Sequence, residues 1–126
     1  MSVQLDIGEA FSAAVALADR FSVYVPNQDR DGNAVEQAFW IDRCLRLLSE
    51  ISGGATAMPP LRGAWLNPTT DALVVEEPVI VYSFIKPEEF ARRIRDVVDL
   101  VNEIGRATNQ GQMAIAFNQT LFLIDC

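Results

Sequence analysis

Val79-Ile80-Val81-Tyr82-Ser83-Phe84-Ile85 runs through Lys86 into Pro87-Glu88-Glu89-Phe90, and two element types meet across that lysine. The first seven residues are β-branched or aromatic and nearly all apolar, which predicts a central strand buried on both faces. Pro87 suits the first turn of a helix, where its missing N–H costs nothing. Glu88 and Glu89 then favour the positive end of the helix dipole. Downstream, Phe90, Ile94, Val97, Val98, Val101 and Ile104 recur at helical spacing and define one apolar side. Arg92, Arg95, Asp96 and Asp99 line the other side, with Arg92–Asp96 and Arg95–Asp99 spaced for i,i+4 pairs. Gly105 is read as the stop of this helix.

Working back from Val79, Pro78 bends the strand away from a shorter arm at 73–75. The turn Asn67-Pro68-Thr69-Thr70-Asp71 joins that arm to 62–66, and Pro59-Pro60 separate 62–66 from 55–58. Two prolines remove two ladder donors, so this strand must lie at an edge or bulge. Residues 34–52 predict a long helix closed by Gly53-Gly54, with Asn33 as N-cap and Glu36 completing a capping box. Its buried arc comprises Ala38, Ile41, Cys44, Leu45, Leu48 and Ile51. Glu36, Arg43, Arg46 and Glu50 lie opposite, with Phe39 among them. The loop before it contains Asp29, Asp31 and Gly32, but a calcium loop started at Asn27 would need its bidentate Glu where Ala38 stands. Phe21 to Val25 alternates as a strand ended by Pro26, and residues 8–20 read as an Ala-rich helix with Phe11, Ala14, Val15 and Ala18 on one side. At the other end, 113–117 and 120–124 form a hairpin about Asn118-Gln119.

The order is therefore α-β-α-β-β-α-β-β. Without its first helix and last strand it has the ferredoxin-like, split βαβ pattern: an antiparallel sheet with two long helices on one face. The expected fold is thus α+β, with 1–20 as an N-terminal helix that packs on the domain or on a partner and 21–126 as a single domain carrying an extra C-terminal hairpin strand. With 126 residues and 50% hydrophobic content, about two-thirds of the chain's surface can be buried without disulfides or metal.

Composition removes whole classes of chemistry. Zero histidines exclude Ser-His-Asp and Cys-His catalysis and His-ligated zinc. No phosphate-binding glycine loop occurs, because Gly53-Gly54 follows a helix instead of opening one. Glu76 and Glu77, adjacent in a strand, point to opposite faces and cannot share a proton. A net charge of -7, with every arginine close in sequence to acids, argues against nucleic acid as a partner. No apolar run is long enough for a membrane span. Cys44 inside a helix and Cys126 at the last position support no disulfide, which with the absent signal sequence points to the cytoplasm. The sequence predicts no cofactor, no metal and no catalytic residue.

Two readings of function remain. The first is a non-catalytic, acidic interaction domain, acting as subunit, regulator or inhibitor of a larger protein through Phe39, Arg43, Glu36, Glu50 and Trp65. The second is a small-molecule sensor or enzyme. Its pocket would lie on the sheet face that the helices leave open, in a homodimer, with Tyr24, Tyr82, Arg62, Asn109 and Gln110 as its polar groups. The first reading is the one that the missing catalytic constellation favours. A protein partner or a second copy is expected in either case.

Overall fold

The computed structural model describes residues 3–126. Two central strands, β1 (Asp19–Val25) and β5 (Val79–Ile85), pair antiparallel from Asp19 opposite Ile85 to Val25 opposite Val79. Outside β5 lies the short edge strand β2 (Thr56–Ala57); outside β1 lies β6 (Gln112–Phe117), followed by β7 (Thr120–Asp125). The sheet is antiparallel throughout, in the order β2-β5-β1-β6-β7. A second, two-stranded sheet pairs β3 (Gly63–Leu66) with β4 (Leu73–Glu76). It prolongs the β2–β5 ladder past Pro59, Pro60 and Pro78, where the Met58 and Leu61 N–H groups still donate to the Ile80 and Pro78 carbonyls. The prolines thus sit where the edge bends, as loss of their donors requires.

One face of the sheet is packed. Phe21, Val23 and Val25 of β1, Val79, Val81 and Ile85 of β5, and Met113 of β6 meet Trp40, Cys44, Leu48 and Ile51 of α2 (Gln37–Ser52) and Val97, Leu100, Val101 and Ile104 of α4 (Ile94–Ala107). Phe90 of α3 (Pro87–Arg92) completes this core, its ring 4.9 Å from that of Phe21. Alternation does the sorting, since successive strand residues face opposite ways. Ile80, Tyr82 and Phe84 therefore face away from the helices and are half-buried or exposed. β5 is central in the sheet but covered on one face only, which corrects the expectation of burial on both.

The helices also depart from expectation, each for a local reason. The first, α1 (Ile7–Ala10), is one turn long and buries nothing. The chain breaks after it at Ser12, whose φ is 51°. An isolated helix of that length has no packing to offset the cost of nucleation. α2 starts at Gln37 and not at 34, and no capping box forms. Asn33 is held instead by the Asp29 carboxylate, and the Val35 N–H donates to the Asn27 carbonyl. Trp40, and not Ala38, heads the buried stripe of α2. The helix expected from Pro87 onward is two, broken at Arg93, and α4 runs on past Gly105 to Ala107. Arg93 makes the ion pairs, with Asp96 at 2.7 Å and Glu50 of α2 at 3.6 Å, in place of the expected Arg92–Asp96 and Arg95–Asp99. No helix among the described residues is long and apolar enough to cross a membrane.

Candidate functional site

The uncovered sheet face presents Arg20, Ser22 and Tyr24 from β1, Ile80, Tyr82 and Phe84 from β5, and Ala116 from β6. Leu121 and Leu123 of β7 pair with Ala116 and Ala114 and so lie on this face too. At the β1–β6 end the two-residue turn at Asn118 closes, with Asn118 in the left-handed region (φ 54°) that asparagine tolerates. Its side chain knots the turn: Oδ1 accepts from the Arg20 N–H at 2.8 Å, and Nδ2 donates to Asp19 Oδ1 at 2.9 Å. Beside this knot lies a hollow of about 230 Å³ lined by Arg20, Ser22, Tyr24, Met58, Ile80, Ala116, Asn118, Gln119 and Leu121. Its lining is mixed: Met58, Ile80, Ala116 and Leu121 are apolar, and two hydroxyls, two amides and one guanidinium border it. The Arg20 guanidinium lies 5.5 Å from the Tyr82 ring centroid, and the Tyr82 ring meets Phe84 edge-on at 6.0 Å. Arg20 has no carboxylate partner among the described residues, so its charge is free to meet an anion.

The residues singled out from sequence fall in several places. Tyr24 and Tyr82 share the open face, and Tyr24 lines the hollow. Asn109 and Gln110 do not join them. They lie at the far end of α4, where the Asn109 and Gln110 carbonyls accept from Arg30, and the Gln110 amide donates to the Gln28 carbonyl at 2.7 Å. These amides tie the 27–34 loop to the helix end. Arg62 is exposed in the loop ahead of β3, outside the hollow. Trp65 is exposed on the β3–β4 hairpin, and its indole N–H donates to Glu76 at 3.3 Å. Phe39 and Glu36 border a separate hollow at the start of α2, with Asn109 across from them. Arg43 pairs with Glu103 of α4 at 3.0 Å, and Glu50 is shared by Arg46 and Arg93. Arg43, Glu36 and Glu50 thus serve or flank the helix layer, and Trp65 stands apart from them. Sequence reasoning passed over Arg20, Ser22 and Asn118. Residues 20, 22 and 24 share one parity in β1, so the alternation that found Tyr24 also carried the other two.

Electrostatics adds little acid–base capacity. Burial pushes the Cys44 thiol up to about 12, against a weaker opposing pull from Arg43, so it is inert at neutral pH. The Asn33 N–H, with a smaller share from Asp31 and Arg30, holds the Asp29 carboxyl below the usual aspartate range. Both groups lie off the open face. Both cysteines are free, and no cluster that could hold a metal ion occurs among the described residues.

No family model matches the chain, and no curated protein matches its sequence. Solved structures do match its fold. A phage SAM lyase in complex with S-methyl-5′-thioadenosine superposes with a TM-score of 0.62 at 15% identity, over 90% of this chain and 95% of that one. A phage SAM lyase in the apo state gives 0.60 at 15% identity, over 99% and 97%. The likeness establishes a mixed α+β fold with an antiparallel sheet. It also corrects the expectation of a non-catalytic interaction domain or inhibitor: the chains that share this fold from end to end are described as enzymes, one of them holding a small nucleoside thioether. The absence of histidine excludes imidazole chemistry and not catalysis as such.

Proposed function

We propose that this protein is a small-molecule enzyme of the S-adenosylmethionine lyase type, acting at the open sheet face. The observation that carries the reading is the end-to-end fold likeness to such lyases. Physical chemistry explains why a chain without histidine suits the task. When the C–S bond of a sulfonium breaks, the electron pair goes to sulfur and an uncharged thioether departs. The leaving group needs no proton, so no general acid is required. Attack by the substrate's own carboxylate would satisfy the carbon without a protein base, and no protein carboxylate lines the hollow. The protein's part is then to bind and orient, which can supply much of a barrier reduction by itself.

In this reading the apolar walls at Met58, Ile80, Ala116 and Leu121 take the nucleoside, and the Ser22 and Tyr24 hydroxyls bond its polar edge. The Arg20 guanidinium takes the carboxylate of the amino-acid end. A hollow of about 230 Å³ is smaller than a typical ligand pocket of roughly 300–1,000 Å³, so the site is completed from outside the protomer, as an oligomer would do. The cytoplasm, where free thiols persist, is the matching compartment. We also read the topology as split βαβ, because β2, β5, β1 and β6 with their crossing helices follow that strand order.

The test is incubation with S-adenosylmethionine followed by chromatography for S-methyl-5′-thioadenosine. Product is expected from the native chain, with at least a tenfold loss of kcat/KM in Arg20→Ala, about 1.4 kcal/mol of transition-state binding. No product, together with no heat of binding for either compound in calorimetry, overturns the proposal.

A further inference from the structure

The N-terminal arm and the open sheet face are each unpartnered within the protomer, and they complement each other. Residues 3–17 are exposed throughout, including Phe11 at 78% and Val15 at 63%. The stretch from Glu9 to Ala18 is rich in strong helix formers, with Phe11, Ala14, Val15 and Ala18 on one side. Yet only Ile7–Ala10 is helical, and Ser12 is left in the left-handed region that serine seldom adopts. The arm therefore has a helical pattern and no surface of its own to form it against. On the other side, Leu121 (55%), Leu123 (58%) and Phe84 (45%) lie bare on the sheet.

We infer that the arm of one chain folds as an amphipathic helix over the open sheet face of a second copy, with Phe11 and Val15 seated on Leu121 and Leu123 of β7. The spacings agree, since residues four apart on a helix are about 6 Å apart along its axis and residues two apart on a strand about 7 Å. The charges agree as well. Within residues 3–17 the only charged side chains are Asp6 and Glu9, and the face they approach carries Arg20 without a carboxylate partner among the described residues. The occupant is a second copy because the arm cannot readily double back. It runs straight into β1 at Asp19, and no glycine or proline lies between Ser12 and Val25 to reverse it. The inference rests on these exposed surfaces and not on the lyase reading, and its readout is independent of activity.

The test uses the full chain with Cys126→Ser, so that Cys44, which is buried, is the only native thiol left. Light scattering at tens of micromolar is expected to give a multiple of 13.9 kDa, and Val15→Asp or Leu123→Asp is expected to return the monomer mass with unchanged circular dichroism. Chains carrying Val15→Cys are then mixed with chains carrying Leu123→Cys and oxidised. A disulfide-linked species at twice the chain mass is expected from the mixture. A monomer in light scattering overturns the inference. So does an oligomer whose mixed chains give no cross-link, and so does a cross-link that forms only when both cysteines lie in one chain.

Discussion

At Gly105 the helix α4 passes so close to the end of the sheet that there is no room for a side chain. A Cβ there would lie 3.1 Å from Met113 Cγ and 3.3 Å from Cys126 Cβ, with the Cys126 sulfur nearer still. Met113 is buried and has little room to give, whereas the exposed Cys126 can swing out. Gly105→Ala is therefore expected to cost about 1–3 kcal/mol in urea unfolding. Adding Cys126→Gly should recover only part of that, the Met113 contact remaining. Full recovery would place the whole clash at the terminus. The sequence marked Gly105 correctly as special and misassigned its role, because a helix-stopping glycine and a close-packing glycine look alike without the strand that passes over them. Tyr24 was legible from alternation, and Arg20 and Ser22 were recoverable by the same parity. Asn109 and Gln110 were not, because nothing in a polar loop reveals that its amides are already bonded to Arg30 and Gln28.

Among the elements, what was legible followed periodicity, and what was missed depended on partners distant in sequence. β5 was placed to the residue, and spacing alone found Val97, Val101 and Ile104 of α4, but it took in Ile94 and Val98, which are exposed, and passed over the buried Leu100. The break at Arg93 was not legible, since its ion pairs reach Asp96 on one side and Glu50 of α2 on the other. Those pairs are 41–53% exposed, so water and salt screen them. The apolar face should therefore outweigh the junction in holding the helix layer on the sheet. Ile104→Ala, at a fully buried position, is expected to cost about 2–5 kcal/mol, and Arg93→Ala less than about 1 kcal/mol. Chemical denaturation of the two variants decides the order. A larger loss for Arg93→Ala would mean that the α3–α4 junction, and not the α4 stripe, fixes the layer.

For the molecule as a whole, the charge inventory makes a kinetic prediction. A lyase that used a protein acid or base near neutrality would need a group titrating there, and the usual one is histidine. This chain has none. Burial has carried the Cys44 thiol up to about 12, well outside the working range. The Asp29 carboxyl is shifted the other way, by the Asn33 and Asp31 N–H groups. Its hydrogen bonds therefore favour the folded loop above the usual aspartate range and are lost only as pH falls through that depressed value, far below neutrality. No histidine is present to change protonation between about pH 5.5 and 7.5. If the proposed lyase activity is present and works by orientation and departure of an uncharged thioether, kcat for thioadenosine release from Cys126→Ser protein should be level across that window. KM is expected to move only with the ionisation of the substrate's own amino group. A bell-shaped or sloping kcat there, with binding unchanged, would mean that a protein group other than histidine takes part in proton transfer, against the orientation-only mechanism.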